Sequence, residues 1–315
     1  MKDKPRKTVF IFGGAGFIGS HLVELLMDEF NIIIFDKKNF SSRNIRKFES
    51  KIEIIEGDFS NHFDWQSALN NVDYVLHLIC STLPAISNEN CIYDVESNVL
   101  PSLKLLDVLS KDTHPRLVFI SSGGTIYGNI EELPINEEAI TNPICSYGIT
   151  KLMIEKYLHL YHKLYGLDYR IARLSNAYGE RQSRTSNQGL ITAILCKVLQ
   201  NQNLRIWGDG SVVRDYVYVK DAASCVQKIL MYQGPERIFN VSSNKGYSVN
   251  EVIEEICKVT GKKVKITYSE KRKFDVKDNI LSNSLAKREL GWEPKVSLNE
   301  GIFRVYNWIE TNIEE

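Results

Sequence analysis

The 315-residue sequence predicts an α/β fold, a doubly wound parallel sheet followed by a smaller mixed α/β domain. Three observations carry that prediction. Short apolar runs alternate with amphipathic stretches through the first half of the chain. Several runs are apolar almost throughout, as in Ile32-Ile33-Ile34-Phe35, the pattern of strands covered on both faces. Strand and helix in alternation also require right-handed crossovers, which produce a parallel sheet.

In chain order, Thr8–Phe12, Asn31–Phe35, Ile52–Glu56, Val72–Leu78, Arg116–Ser121 and Tyr169–Leu174 read as strands rich in Ile, Val and Phe. Ile18–Glu29 and Tyr93–Ser110 read as helices; in the second, Val95, Val99, Leu103 and Leu106 recur at helical spacing. After Ser175 the rhythm loosens. A polar stretch, Glu180–Gln188, leads to a helix near Leu190–Leu199, a strand at Leu204–Trp207 and shorter pieces with a basic cluster, Lys271-Arg272-Lys273. The division expected is residues 1–175 as the first domain, with elements near 215–243 returning to it, and 176–315 as mainly the second.

Composition narrows the function. The chain is 43% apolar and 25% charged, which excludes a disordered or low-complexity protein. Basic and acidic residues number 39 each, so no overall positive field points to nucleic acid or an anionic membrane surface. The six cysteines, at 80, 91, 145, 196, 225 and 257, are scattered, with neither disulfide nor zinc spacing. No run approaches the roughly 20 apolar residues of a spanning helix, and glycines interrupt the apolar stretch after the basic start. The chain reads as cytosolic, with no metal site.

Gly13-Gly14-Ala15-Gly16-Phe17-Ile18-Gly19 joins the first strand to the first helix with G-x-x-G-x-x-G spacing. Glycines there let the chain turn tightly and let a diphosphate approach the amides of the helix N-terminus, where the helix dipole favours an anion. In this Rossmann-type setting Gly13, Gly16, Phe17, Ile18 and Gly19 are cofactor-binding candidates. Asp36, at the end of strand two, can accept hydrogen bonds from the adenosine ribose hydroxyls and repels a 2′-phosphate, which favours NAD over NADP. Lys37 beside it, with Lys38 and Arg43, pulls the other way. Tyr147 and Lys151 form a Y-x-x-x-K pair on one helix face. A lysine cation and an oxidised nicotinamide together would lower the phenol from its ordinary value near 10 and make it a base, at a cost of roughly 4 kcal/mol of preferential stabilisation for about three units.

With these motifs in place the sequence resembles the extended short-chain dehydrogenase/reductases, and within them the nucleotide-sugar epimerases and dehydratases. The resemblance runs nearly the whole chain. It includes Asp58-Phe59, which in the family lies near the adenine, and His77-Leu78-Ile79-Cys80, where the family's segment lines the cofactor. It also includes Asn98, Ser121-Ser122-Gly123-Gly124-Thr125-Ile126-Tyr127-Gly128, and Arg173-Leu174-Ser175-Asn176-Ala177-Tyr178-Gly179. Arg214-Asp215-Tyr216 and Arg272-x-x-Asp275 resemble the family's diphosphate-holding arginine motifs, and Gly291-Trp292 its closing L-G-W.

The resemblance implies an NAD-dependent 4-epimerase of a UDP-hexose or UDP-N-acetylhexosamine, commonly a homodimer formed through the helices near Tyr93–Ser110 and Ser146–Tyr165. Tyr147 and Lys151 would be catalytic. The family's usual hydroxyl position is occupied by Gly123, so Ser122 and Thr125 both remain candidates. Cofactor contacts would come from Gly13, Gly16, Phe17, Ile18, Gly19, Asp36, Lys37, Asp58, Phe59, Leu78, Ile79, Cys80, Asn98, Tyr147, Lys151 and Leu174. Substrate contacts would come from Thr82, Asn176, Leu190, Arg214, Arg272, Asp275 and Asn279. Trp207 offers a face for uracil, or is a core aromatic. Asn279, of intermediate bulk at the position that gates the sugar's C2 substituent, reads as admitting N-acetyl groups. A UDP-glucuronate 4-epimerase, a 4,6-dehydratase, a decarboxylase and a non-catalytic NAD-binding scaffold are the alternatives. Gly123-Gly124-Thr125 lacks the dehydratase's acid pair, Thr125 stands where the decarboxylase carries Glu, and scaffolds often lose the Tyr–Lys pair that is intact here.

Overall fold

A computed structural model describes residues 5–61, 64–111, 115–184, 189–270 and 276–312. The strands are β1 (Thr8–Phe12), β2 (Asn31–Asp36), β3 (Glu53–Glu56), β4 (Tyr74–His77), β5 (Arg116–Ser122), β6 (Tyr169–Leu174), β7 (Asn176–Tyr178), β8 (Leu204–Trp207), β9 (Val213–Tyr218), β10 (Ile238–Val241), β11 (Gly246–Ser248), β12 (Ile266–Ser269) and β13 (Asp278–Asn279). The helices are α1 (Phe17–Leu26), α2 (Trp65–Ala68), α3 (Pro84–Ser87), α4 (Cys91–Asp94), α5 (Leu100–Leu109), α6 (Ser146–Tyr165), α7 (Leu190–Leu199), α8 (Val219–Met231), α9 (Val249–Thr260), α10 (Ser284–Leu290) and α11 (Leu298–Thr311). Among the described residues no helix is long and apolar enough to cross a membrane.

Seven strands form one sheet in the order β10-β6-β5-β4-β1-β2-β3. The pairs from β3 to β5 are parallel, with Phe12 in register with both Phe35 and His77. The order reverses direction at β1, the switch point beside which open α/β sheets bind their ligands. All six strands expected in the first half form, with ends shifted by a few residues.

The chain divides into two compact units. The first comprises Met1–Ile126, Pro143–Arg173 and Ala223–Phe239. Its core packs Phe10, Phe12, Phe35, Trp65, Leu109, Phe119 and Leu158. The second comprises Tyr127–Asn142, Leu174–Ala222 and Asn240–Glu315, with Ile191, Leu195, Tyr216, Val252, Ile256 and Ile302 in its core. Two expectations need correction. Residues 127–142, assigned by sequence to the first domain, go with the second, where Ile135 N–H reaches the carbonyl of Ile280 at 2.8 Å and Tyr127 Oη donates to Asn240 at 2.8 Å. The returning segment is also shorter than 215–243: β9 pairs with β7, β11 and β13 in the second unit, and only 223–239 belongs to the first.

The single helix expected over Tyr93–Ser110 is broken by a π turn, Val95–Val99, between α4 and α5. Pro101 accounts for it locally. Proline has no N–H to give the carbonyl four residues back, and a widened turn absorbs the missing bond. The Leu100 N–H bonds the carbonyl of Val95, five residues back.

His77 closes β4 inside an aromatic cluster of Phe12, Phe59 and Phe119. Ser102 gives its hydroxyl proton to the carbonyl of Asn98 at 2.6 Å, so it accepts from His77 Nε2–H at 2.9 Å, and the buried Nδ1 is left without a partner. That is a neutral imidazole. Burial, with Lys151 nearby, lowers its pKa from 6.5 to about 3. The unfolded chain therefore takes up a proton below pH 6.5 that the folded chain refuses, and the resulting stability is complete above 6.5 and lost as pH falls towards 3. At pH 5 the loss is about 2 kcal/mol. Asp215, raised by burial to about 6, works in the opposite sense, gaining stability as pH falls through 6. Comparison with His77→Phe isolates the histidine: between pH 7 and pH 5 the variant should gain about 2 kcal/mol relative to wild type in urea unfolding. Parallel pH curves would refute the assignment.

Candidate active site

The loop between β1 and α1 is built for close approach. A Cβ on Gly19 would lie 2.1 Å from the Gly13 carbonyl oxygen, so only glycine lets the start of α1 sit on this turn. Gly16 caps α1 without any side-chain hydrogen bond, leaving the first-turn amides of Phe17 and Ile18 to an anion. The backbone of Leu78 and Ile79, just past β4, borders the Gly13 turn. Asp36 ends β2 with its carboxylate against the loop, accepting the Ala15 N–H at 3.1 Å and the Lys37 N–H at 2.9 Å. Burial pushes its pKa up against those two bonds. An uncapped helix start, a side-chain-free turn and a carboxylate at the end of the next strand fit a dinucleotide such as NAD.

Other expected contacts have structural tasks. Asp58 bonds Ser60 N–H at 2.9 Å and Asn61 at 2.6 Å, closing its own turn. The Phe59 ring is committed to the aromatic core against Phe12, Trp65 and His77. Leu174 is buried at the end of β6.

Tyr147 and Lys151 stand on the first turns of α6. Gly148 between them is needed there, because a Cβ would meet the Thr125 carbonyl oxygen and Pro143 at 2.8 Å each. This approach brings the helix against the turn after β5. Of the two candidate hydroxyls, Ser122 lies beside the Tyr147 phenol and favours its ionisation, whereas Thr125 Oγ1 is buried without a protein partner. Lys151 Nζ donates to the carbonyl of Ile120 at 2.9 Å and lies 4.7 Å from the Phe119 ring centre and 5.8 Å from that of Tyr147.

The lysine does not lower the phenol in the protein alone: burial first, then the neighbouring Cys80, Cys145 and Asp94, raise Tyr147 well above its ordinary 10. Burial likewise lowers Lys151, with Cys80, Glu155 and Asp94 opposing. The ammonium gives its hydrogen bond to the backbone carbonyl of Ile120.

Thr82 also differs from its expected substrate role. Its side chain is buried and its hydroxyl is given to Asp94, so it faces inward. Asp94, Ser146, Thr150 and Glu155, which the sequence reading passed over, form the polar support of α6. Asp94 and Asn98, four apart and so on one face of the expected helix, were the available signal.

In the second unit, β9 gathers expected substrate residues on adjacent strands. Asn279 of β13 is opposite Arg214, and Asn176 of β7 opposite Tyr216. Asn176 Nδ2 donates to the Asp215 carbonyl at 2.9 Å, and Arg214 donates to the carbonyls of Val213 and Lys277 at 2.8 and 3.2 Å. Trp207 is 43% exposed with the Arg205 guanidinium 5.0 Å from its ring, so it is a surface face rather than a core aromatic. Leu190 starts α7 and packs on the core. Arg272 and Asp275 lie outside the described residues.

Residues 9–242 match the model of the NAD dependent epimerase/dehydratase family. The chain belongs to that family. A curated relative, the putative UDP-glucose 4-epimerase of Methanocaldococcus jannaschii, is 36% identical over 306 residues, covering 96% of this chain and 99% of its own. The UDP-glucose 4-epimerase of Thermotoga maritima, solved with UDP-glucose, superposes with a TM-score of 0.91 at 32% identity, covering 97% of this chain and 99% of that one. The UDP-N-acetylglucosamine 4-epimerase of Methanobrevibacter ruminantium, solved with UDP-N-acetylmuramic acid, gives 0.91 at 27% identity over 98% of this chain and all of that one. Family membership agrees with the sheet order and with the glycine loop beside its switch point.

Proposed function

We propose that this member of the NAD-dependent epimerase/dehydratase family interconverts the C4 epimers of a UDP-hexose or a UDP-N-acetylhexosamine. The observation that carries the reading is the Tyr147–Lys151 pair, with the Lys151 ammonium 5.8 Å from the Tyr147 ring centre, in the same unit as the glycine loop. Gly13, Gly16, Phe17, Ile18 and Gly19 would hold the cofactor's diphosphate. Asp36 would take the ribose, with Lys37 beside it, while Leu78, Ile79, Cys80, Asn98 and Leu174 would line the rest. A bound NAD would supply the hydride acceptor and donor for C4, and its oxidised form would add a positive charge near the site.

The protein's part is a proton path and a grip. Tyr147 removes the O4 proton as general base and gives it back as general acid, with Ser122 relaying at the phenol oxygen. The raised phenol suits this cycle, because an uncharged tyrosine is the resting form and ionises only when positive charge surrounds it. Thr125, the other candidate hydroxyl, would bond the sugar if substrate binding exposes its buried Oγ1. Asn176, Arg214, Arg272 and Asp275 would fix the nucleotide diphosphate, Trp207 the uracil, and Asn279 would admit a C2 acetamido group.

A homodimer fits the exposed apolar side chains of two helical segments, Ile92, Tyr93 and Leu100 on one and Ile149, Leu164 and Tyr165 on the other. The deciding experiment incubates purified protein with UDP-galactose, UDP-GalNAc and UDP-galacturonate and resolves the products. The 4-epimer of one of the first two should appear with no net consumption of NAD. A 4-keto-6-deoxy product, released carbon dioxide or no product at all would each replace this reading.

A further inference from the structure

Asp94 is fully buried at the end of α4, where the π turn begins. Four side-chain donors converge on its carboxylate. Oδ1 accepts from Thr82 Oγ1 and from Asn98 Nδ2 at 3.0 Å; Oδ2 accepts from Ser146 Oγ at 2.7 Å and Thr150 Oγ1 at 3.3 Å. The donors belong to three stretches of chain: the segment after β4, the π turn, and the first two turns of α6. We propose that Asp94 is a positioning residue that fastens the turns of α6 bearing Tyr147 and Lys151 to the cofactor-lining segment after β4. The inference rests on the epimerase reading above.

The surroundings support the assignment. Asn98, on the same carboxylate, also accepts the Ser81 N–H at 2.8 Å and donates to the Asp94 carbonyl at 3.0 Å, so the π turn ties the chain beside Cys80 into the same network. The first amides of α6 are capped from that side too: Ser146 N–H by Asn88 at 2.8 Å and Tyr147 N–H by Ser87 at 3.1 Å. Tyr147 faces Cys80, Cys145, Asp94 and the Ser122 hydroxyl. Lys151 faces Cys80, Glu155 and Asp94, with neutral His77 nearby. Burial is the larger influence on both members of the pair; Asp94 adds to it at Tyr147 and opposes it at Lys151, raising the proton affinity of each.

Asp94→Asn tests both halves. One amide oxygen cannot serve four donors, so kcat should fall about ten- to a hundredfold through misplacement of Tyr147. Removal of the negative charge should also move the acidic limb of the kcat–pH profile to lower pH by about half a unit, which loss of structure alone would not do. A folded Ser146→Ala/Thr150→Val double variant, with the charge kept, should lose turnover with no such downward shift. A folded, NAD-retaining Asp94→Asn enzyme whose acidic limb coincides with wild type overturns the inference. So does full turnover in the double variant, which decides the matter even where Asp94→Asn fails to fold. A wild type that does not interconvert 4-epimers overturns the functional reading and this inference with it, and is therefore measured first.

Discussion

Tyr147→Phe is expected to lower kcat for 4-epimerisation about a thousandfold, within the range for loss of a positioned general base and equivalent to about 4 kcal/mol of barrier. The ring stays where it is, against the turn that Gly148 admits, and only the phenol oxygen is removed. Stability should change little. The phenol is desolvated, so whatever bonding its hydroxyl makes is offset by no longer burying that hydroxyl, a net of about 1 kcal/mol or less. Circular dichroism and retention of NAD should match wild type, which separates a chemical defect from a folding one. Ser122→Ala should cost less than Tyr147→Phe, because the phenol can still reach the sugar hydroxyl directly. Turnover of Tyr147→Phe within threefold of wild type would remove the phenol from the mechanism.

Features with a local physical cause were legible in the sequence. The strand from Thr8 to Phe12, the glycine turn and the start of α1 follow from an apolar run and from glycines placed where a Cβ has no room. The Tyr147–Lys151 pair follows from helical spacing. The π turn was harder: Pro101 signals a defect in the helix, but a kink, a break or an added residue would each accommodate its missing N–H. The choice between Ser122 and Thr125 lay beyond spacing. The turn after β5, in which the Thr125 and Ile126 amides return to the Ser122 carbonyl, leaves one hydroxyl beside the phenol and the other buried without a protein partner. Thr82 was misread for a related reason. A threonine past a strand end is equally suited to a ligand or to a buried carboxylate, and Asp94 is twelve residues away. The placement of 127–142 depends on Asn240 and Ile280, more than a hundred residues along the chain, and no local pattern records such a pairing.

Glu155 and Arg173 should show the largest stability effect in the first unit. The two side chains are 3% and 4% exposed and paired at 2.6 Å, with Arg173 Nε reaching both carboxylate oxygens at 3.2 Å and Ser121 donating to the carboxylate at 2.5 Å. Glu155→Ala leaves a guanidinium buried without its counter-charge, at an expected cost of about 3–5 kcal/mol by urea unfolding; Arg173→Met strands the carboxylate at a similar cost. The costs should not add. Glu155→Leu with Arg173→Met replaces both charges by apolar groups of similar volume, and its stability should return to within about 2 kcal/mol of wild type. Activity should not return with it. Glu155 sits one helical turn beyond Lys151 and raises that lysine's proton affinity against the desolvation that lowers it. With the carboxylate gone Lys151 gives up its proton more readily, so turnover in the repacked variant should fall off at a lower pH on the alkaline side than in wild type. A double variant as unstable as either single would mean that the pair is irreplaceable to the fold; one that recovers both stability and the wild-type alkaline limb would mean that Glu155 supports α6 without acting on Lys151.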